Sequence, residues 1–359
     1  MYKGKIVLIG TIPPPAGGDA MWAQDYLAYN EKHGNDIQLV NTSLIGKRAS
    51  TVGETKNYRD EIERSFMIWK AIIQTVSRRT TDIVHMNINC APLGTIRDFI
   101  SSIILALKKV PFVVHCHCNI ADQIGDRHIP CCLLKCICKL SKKIIVLNND
   151  SYEFASKIDK KKVVFIPNFI TTEQFRPDKK IFEELKKAVY VGHIRRTKGI
   201  DELLEVARNN KNIVFTLVGP ITEDYKKEEI LDNSIGNVIL TESVTQQEVN
   251  KYLDEADVFL FPSYTEGFSR ALVEAMSRGI PCIATDVGSN REMLENEGGI
   301  IIEAKSSVQI NKALDKIKNH KLREKMSQWN YEKAFKFYSI DTVMEEIYQI
   351  YSEVTGEKN

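Results

Sequence analysis

FPSYTEGFSRALVEAMSRGIPCIATDVG, residues 261–288, begins at the end of one apolar run and passes into another. Pro262 and Gly267 indicate a loop, and Ser269 is a suitable cap for a helix that contains Ala271 to Met276. The second run, PCIATD, has the length of a buried strand. Strand, helix and strand in this order are the repeating unit of a parallel α/β sheet.

The same unit recurs along the whole chain, in two sets separated by a polar, proline-containing linker at 167–180. Continuous apolar strands alternating with helices are typical of a parallel sheet covered on both faces. The sequence therefore predicts an α/β fold with two Rossmann-like doubly wound parallel-sheet domains facing across a cleft. The predicted strands are 5–10, 36–41, 82–87, 111–117, 143–148 and 163–168, then 188–194, 213–220, 237–243, 258–263, 281–286 and 299–303.

Composition agrees with a two-domain globular protein and excludes a fibrous or disordered one. The chain has 359 residues, 43% hydrophobic and 27% charged, which fits two domains of ordinary size. The N-terminal residues lack the apolar core of a signal peptide, and no run is long enough to span a bilayer. We expect a cytoplasmic protein.

The net charge of +2 conceals an uneven distribution. Residues 1–170 carry 23 Lys and Arg against 15 Asp and Glu, whereas the remaining residues carry 26 against 32. A basic first half suits an anionic substrate or an anionic membrane surface, and ordinary surface variation is the alternative. Nothing in the pattern indicates a nucleic-acid partner.

Six of the eight cysteines lie within 115–138. Cys131, Cys132, Cys136 and Cys138 have helical spacing among leucines and isoleucines, which favours reduced cysteines packed in the core. No CxxC pair occurs, so a metal site is the weaker alternative. We expect no metal ion and no other cofactor.

Unusual residues follow two strands of the first domain. Gly17 and Gly18 precede Asp19, a possible cap for the next helix, and such glycines let backbone amides approach an anion. Strand alternation places His115 and His117 on one face of the fourth strand. A histidine at a strand's carboxyl end can bind a substrate hydroxyl or stabilise developing charge, and a structural role is the alternative.

The second domain opens with VGHIRRTKGI (191–200), in which a strand leads into three cations. Arg195, Arg196 and Lys198 at a strand's carboxyl end suit a diphosphate, and a solvated basic loop is the alternative. In the stretch quoted first, Glu266 lies in the loop and Glu274 in the helix. The amides of Gly267, Phe268 and Ser269 would face an anion held there.

These motifs together resemble glycosyltransferase family 4 of the glycosyl transferases group 1, retaining enzymes with the GT-B fold. EGFSRALVE (266–274) resembles the family's E-x7-E motif, and the loop at 17–18, VHCH, VGHIRRTKGI and LVGP match in order. The resemblance covers nearly the whole chain. It implies a domain of residues 1–170 joined by the C-terminal helix at about 340–359, and a donor domain of residues 171–339.

The resemblance implies a hexosyltransferase that moves a sugar from a nucleotide-sugar to a saccharide or lipid-linked saccharide, in cell-surface polysaccharide biosynthesis. Glu274 resembles the residue that holds the ribose, and Glu266 the residue that faces the donor sugar with Gly267, Phe268 and Ser269. Lys198 resembles the diphosphate-binding lysine, and His117 the histidine near the reacting sugar. The implied catalytic residues are His117, Glu266 and Lys198, and Gly17 and Gly18 match the loop near the phosphates.

One position departs from the family pattern. Gly192-His193 stands where the family has Gly-Arg, so either Arg195 or Arg196 would replace the missing guanidinium, with a slight preference for Arg196. A basic first half also motivates the hypothesis of peripheral contact with an anionic inner membrane face. Two other functions fit less well, namely a sugar-nucleotide epimerase of the same fold and a non-catalytic sugar-binding protein.

Overall fold

The computed structural model describes residues 2–14, 17–44, 58–125, 127–232 and 236–356. Its chain divides into two units, the first formed by Met1–Asn168 with Ile340–Asn359 and the second by Phe169–Ser339. The division expected from the sequence, at 170 and 339, differs by two residues at the first boundary. Pro15 and Ala16 of the predicted first loop, and the ends of the predicted first domain at 1 and 357–359, lie outside the described residues.

The first unit contains a six-stranded parallel sheet in the order β2-β1-β3-β4-β5-β6. Its four inner strands are short and almost wholly buried, as expected of a sheet covered on both faces, whereas the edge strands β2 and β6 are partly exposed. The order reverses at β1, so the loops after β1 and β3 diverge and leave a crevice. The strands are β1 Ile6–Gly10, β2 Ile37–Asn41, β3 Ile83–Ile88, β4 Phe112–Cys116, β5 Lys143–Val146 and β6 Val163–Phe165.

Helices connect these strands, and one further helix joins the unit from the end of the chain. They are α1 Gly18–Lys32, α2 Tyr58–Thr75, α3 Pro92–Leu107, α4 Ile120–Ile124, α5 His128–Leu140, α6 Asn149–Asp159 and α14 Ile340–Thr355. One apolar core, from Val7 to Val163, lies between the sheet and α2, α3, α5 and α6.

The second unit has its own six-stranded parallel sheet, in the order β12-β11-β10-β7-β8-β9. This is the Rossmann order, and it reverses between β7 and β10. The strands are β7 Lys187–Val191, β8 Val214–Val218, β9 Val238–Glu242, β10 Val258–Phe261, β11 Cys282–Thr285 and β12 Gly299–Ile302. The helices are α7 Ile200–Asn209, α8 Lys227–Asp232, α9 Gln246–Glu255, α10 Arg270–Met276, α11 Asn290–Leu294, α12 Ser307–Ile317 and α13 His320–Tyr338.

The predicted fold class is confirmed for both units. Each of the twelve predicted runs overlaps one strand, although β3 ends and β7 begins one residue outside its run. Short β-branched runs bounded by turn residues give a strong signal in a buried parallel sheet. The C-terminal helix expected at about 340–359 is present as α14, and α13 precedes it. Within the described residues, we find no helix that is long and apolar enough to cross a membrane.

Helix α14 completes the core of the first unit. It packs against β3 and buries Tyr351, whose hydroxyl lies 2.7 Å from the hydroxyl of Tyr26 and 2.5 Å from Nδ1 of His85. Tyr348, on the same helix, donates to Asn30 Oδ1 over 2.9 Å. Buried polar groups need such partners, so α14 satisfies side chains of the sheet and of α1 that would otherwise be unpaired.

We expect Tyr351→Phe to lower the free energy of unfolding by about 1–3 kcal/mol, because His85 and Tyr26 would each lose a buried partner. Urea unfolding measures this change. Tyr58→Phe removes the same atom from a side chain that is 69% exposed, and its effect should stay within about 0.5 kcal/mol. Equal effects of the two substitutions would contradict the role assigned to Tyr351.

Candidate active site

An ion pair lies where the strand order of the second sheet reverses. Lys198 ends a 3₁₀ turn, Arg196–Lys198, after β7, and Glu266 lies in the loop after the neighbouring β10. Lys198 Nζ donates to Glu266 Oε1 and lies 5.8 Å from the ring centre of Phe261. The side chains are 23% and 13% exposed. The crevice between such loops is where open α/β sheets bind ligands, so both charges are placed to meet one.

Two glycines let the loops approach each other closely. Gly199 has φ +72°, and a Cβ there would lie 2.3 Å from the carbonyl oxygen of Pro262. Gly288 has φ +56°, and a Cβ there would lie 2.5 Å from the carbonyl oxygen of Glu266. Neither a side chain nor an ordinary backbone conformation fits these positions. The loop that carries Glu266 is therefore held between the loops after β7 and β11.

The stretch from Glu266 to Ser269 is a loop, as predicted, and Ser269 is the cap of α10. The Ser269 side chain accepts a hydrogen bond from the Leu272 amide over 3.2 Å. Helix α10 begins at Arg270, one residue before the predicted start. Phe268 is 7% exposed and packs edge-on against Tyr338, with ring centres 5.5 Å apart. Its side chain thus anchors the loop, while Gly267 adds no side chain to the crevice.

Glu274 is buried in a ring of donors. Its Oε1 accepts from Arg270 Nε over 3.2 Å, from Gln174 Nε2 over 3.3 Å and from Gln246 Nε2 over 3.5 Å. Glu274 itself is only 5% exposed. The structure therefore pairs Glu266 with Lys198 and Glu274 with Arg270, and no contact between the two glutamates is found among the described residues. The E-x7-E motif gave no indication of Gln174 and Gln246, because these residues lie far from Glu274 in the sequence.

The two arginines after β7 have different surroundings. Arg196 Nη1 donates to Asp201 Oδ2 over 2.9 Å, and its guanidinium lies 5.0 Å from the ring centre of Tyr225. Burial, then the charges of Lys198 and Arg195, lower the pKa of His193. The charge of Arg195 therefore contributes to the lowered pKa of His193, the residue that replaces the family's arginine. Arg196 instead pairs with Asp201 of α7. The pairing of Arg196 with Asp201 argues against the slight preference for Arg196 drawn from the sequence, and the replacement of the missing guanidinium by Arg195 stays a prediction.

His117 lines a polar pocket in the first unit. Its Nε2 is buried without a hydrogen-bond partner, and its ring packs 4.0 Å from that of His115 and 4.9 Å from that of Trp22. Neither amide atom of Asn87, at the end of β3, has a partner within hydrogen-bonding distance. The pocket is lined by Thr11, Asp19, Thr42, Asn87, Ile88, Asn89, Arg97 and His117. Buried polar atoms of this kind need a partner that the neighbouring side chains do not supply.

The sequence drew attention to His115 and His117 but not to Asn87. The rule that functional side chains follow parallel strands would also have selected Asn87 and Asn89, because they end β3 as His117 ends β4. His115 has a structural position. Its Nδ1 lies 3.1 Å from Nε2 of His85. The other ring nitrogen of His85, Nδ1, contacts the hydroxyl of Tyr351. His115 therefore belongs to the buried chain that reaches α14.

Gly17 and Gly18 lie at the N-terminus of α1, with Gly17 as the N-cap residue. The prediction that Asp19 caps this helix is wrong, because Asp19 is already inside it and its Oδ1 accepts from the adjacent Ala20 amide over 2.9 Å. Burial raises the pKa of Asp19, and the Ala20 amide acts in the opposite direction. Asp19 instead lines the pocket of His117.

The cysteine prediction is correct only in part. All eight cysteines are free, and Cys138 is buried, but Cys131 is partly exposed and Cys132 and Cys136 are exposed. Helix α5 buries Leu134, Ile137 and Cys138 and turns the other cysteines outward. Among the described residues, no group of three or more His, Cys, Asp and Glu side chains is arranged to hold a metal ion.

We expect Gly199→Ala to destabilise the second unit more than Gly236→Ala does. Gly236 also has a positive φ, +83°, but a Cβ there would have no neighbour within 4 Å. The control thus carries the backbone strain alone, about 1 kcal/mol, and Gly199→Ala adds the clash with Pro262. Thermal unfolding of both variants measures the difference. Equal melting temperatures would show that the two loops are not held together through Gly199.

We expect the His117 ring to stay neutral from about pH 8 to about pH 5, because burial lowers the pKa of His117 to about 3, against about 6.5 for an ordinary histidine. The unfolded chain takes up the proton first. The contribution of this histidine to stability is thus present above about pH 6.5 and is lost as the pH falls towards 3. NMR titration of labelled histidines, assigned with His117→Gln, tests this, and a midpoint near pH 6.5 would contradict it.

Comparison with known proteins finds a family model that matches most of the second unit. Residues 171–333 match the model described as "Glycosyl transferases group 1". The chain is 25% identical to UDP-Gal:alpha-D-GlcNAc-diphosphoundecaprenol alpha-1,3-galactosyltransferase of Escherichia coli, over 99% of this chain and 98% of that protein. It is 27% identical to the putative teichuronic acid biosynthesis glycosyltransferase TuaC of Bacillus subtilis, over 50% of this chain. That match spans about half of TuaC, 47% of its length.

The fold has a close structural relative among solved proteins. The sucrose-phosphate synthase of Thermosynechococcus elongatus aligns with 99% of this chain and 100% of its own, with a TM-score of 0.80 and 15% identity. At that identity the likeness concerns the GT-B fold alone. The family model covers the unit that holds Lys198, Glu266 and Glu274. The second unit is thus similar to the glycosyl transferases group 1 family, over a match that covers less than half of the chain.

Proposed function

We propose that the protein is a retaining glycosyltransferase, as in family 4. It transfers a hexose from a nucleotide-sugar to a saccharide or lipid-linked saccharide acceptor in cell-surface polysaccharide biosynthesis. The observation that carries the proposal is the Lys198–Glu266 pair at the strand reversal of the unit matched by the family model. Similarity to a galactosyltransferase named for UDP-Gal and to a teichuronic acid enzyme supports the donor and acceptor classes.

The leaving group of this reaction is a nucleoside diphosphate, so its growing negative charge must be stabilised. Lys198 would serve this purpose when the phosphates draw it away from Glu266, and Arg195 would add a second cation. Fixed cations at these positions would do what a magnesium ion does in other transferases. We therefore expect activity to persist in the presence of a chelator.

The two glutamates would bind different parts of the donor. Glu266, released from Lys198, would orient sugar hydroxyls and stabilise positive charge at the anomeric carbon. Glu274 would hold the ribose hydroxyls, and Arg270, Gln174 and Gln246 would keep its carboxylate in place. Attack on the leaving-group face would retain the anomeric configuration.

His117, Asn87 and Asp19 would contribute from the pocket of the first unit. A neutral imidazole with an unpaired Nε2 can accept a hydrogen bond from a sugar hydroxyl, and the Asn87 amide offers both a donor and an acceptor. We propose that the protein acts in the cytoplasm, which agrees with its eight free cysteines.

The experiment that tests the proposal is a donor screen by calorimetry and thermal shift with UDP, GDP and ADP and their sugars, followed by product analysis. We expect one nucleoside diphosphate to bind and its sugar to be transferred with its configuration retained. An inverted product would refute the retaining mechanism. An epimerised donor formed without any acceptor would indicate the epimerase instead.

We expect Lys198→Gln to slow transfer by about 10²–10³-fold, the usual loss when a group that stabilises developing charge is removed. Arg196→Gln is the matched control, since Arg196 belongs to the same turn but is paired with Asp201, and it should change the rate by less than about threefold. Initial rates with the donor found in the screen give both numbers. Similar losses in the two variants would argue against a specific role for Lys198.

A further inference from the structure

Exposed apolar side chains are concentrated on three helices of the first unit. Among the described residues, nineteen large apolar side chains are exposed, and eleven of them belong to α2, α3 and α5. These eleven are Tyr58, Ile62, Phe66, Met67, Ile73, Leu93, Ile96, Ile103, Leu107, Ile129 and Leu140. We call this surface the apolar face. Single exposed apolar residues are ordinary, but a concentration of this size marks an interaction surface.

The three helices form one continuous layer. Helix α3 packs between α2 and α5. Trp69 Nε1 on α2 donates to the Arg97 carbonyl oxygen on α3 over 3.2 Å, and Lys108 Nζ donates to the carbonyl oxygens of Ile73 and Val76 over 2.8 Å each. On α2, Tyr58, Ile62 and Phe66 recur every fourth residue and so share one side of the helix. Their side chains are 69%, 59% and 63% exposed.

The charge of the apolar face is positive at the α5 side. Helix α5 carries Lys135 and Lys139, both exposed, and contains no Asp or Glu. Lys109, directly after α3, is also exposed. Helix α2 is balanced, with three basic and three acidic residues, of which Arg59, Glu63 and Lys70 are exposed. Apolar side chains bordered by lysines are typical of helices that lie in the interface of an anionic bilayer.

We propose that the apolar face binds the surface of an anionic lipid bilayer, with α2, α3 and α5 lying in its headgroup region. The charges argue for this occupant. A second copy that packed α5 against α5 would bring lysines towards like charges, whereas anionic headgroups neutralise them. The proposal goes beyond the transfer reaction and does not depend on it, because the apolar face shares no residue with the crevice of Lys198 and Glu266.

The test is co-sedimentation of the full chain with vesicles of phosphatidylcholine alone and with vesicles that contain about one third phosphatidylglycerol. The wild-type protein should bind the anionic vesicles, and less so in high salt. Ile62→Gln with Phe66→Gln should weaken this binding by about tenfold or more. Lys135→Glu with Lys139→Glu should abolish the preference for anionic lipid.

The matched control changes side chains of similar exposure in the second unit. Val308 and Phe182 are 59% and 52% exposed, and Val308→Gln with Phe182→Gln should leave vesicle binding unchanged. Absence of wild-type binding, or an equal loss in this control, would overturn the proposal. The proposal would also be overturned if, without vesicles, the Ile62→Gln, Phe66→Gln variant had a lower sedimentation mass than the wild type. That result would show that the apolar face joins two copies of the chain.

Two native cysteines give a second measurement. Cys132 and Cys136 are exposed on α5, so a polarity-sensitive thiol dye can be attached to them, with the double serine variant as the labelling control. Anionic vesicles should shift the dye emission to the blue, and an unchanged spectrum would refute contact at α5. Calorimetry with UDP, GDP and ADP on the Ile62→Gln, Phe66→Gln variant tests the transfer proposal separately, since nucleotide binding should be unaffected.

Discussion

The close approach of two loops at the strand reversal of the second sheet controls the geometry of the candidate donor site. Gly199 lies against the carbonyl of Pro262 because it has no side chain and a left-handed backbone. This contact fixes the end of the turn that carries Lys198 beside the loop that carries Glu266. Two opposite charges are thereby kept together in partial contact with water, where the diphosphate of the proposed donor would compete for the lysine. Gly288 supports the same loop from the other side.

Much of the fold followed from the sequence because buried parallel strands have a strong local pattern. Twelve apolar runs, the capping by Ser269 and the loop position of Glu266 depend on neighbours in the chain. The partners of individual side chains, in contrast, do not depend on neighbours in the chain. Arg196 meets Asp201 only because a helix follows the turn at once, and Gln174 reaches Glu274 from a hundred residues away. Asp19 and the α5 cysteines were misplaced because local spacing does not tell which side of a helix is covered.

The first unit depends on a buried polar network rather than on apolar packing alone. His85, His115 and His117 lie around Trp22, and burial lowers the pKa of each histidine. Neutral rings can be stacked this closely, whereas protonated ones would repel one another. The His117 ring packs on His115, which is linked through His85 to Tyr351. The unpaired Nε2 is thus presented on a rigid support.

The position of α14 in the chain has a consequence for synthesis. This helix belongs to the first unit but follows the whole of the second. During translation, the ribosome therefore completes the second unit before it releases the residues that bury Tyr26 and His85. Until Tyr351 emerges, the Tyr26 hydroxyl and Nδ1 of His85 lack this partner. The second unit is therefore complete in sequence before the first, although the strands of the first unit are made earlier.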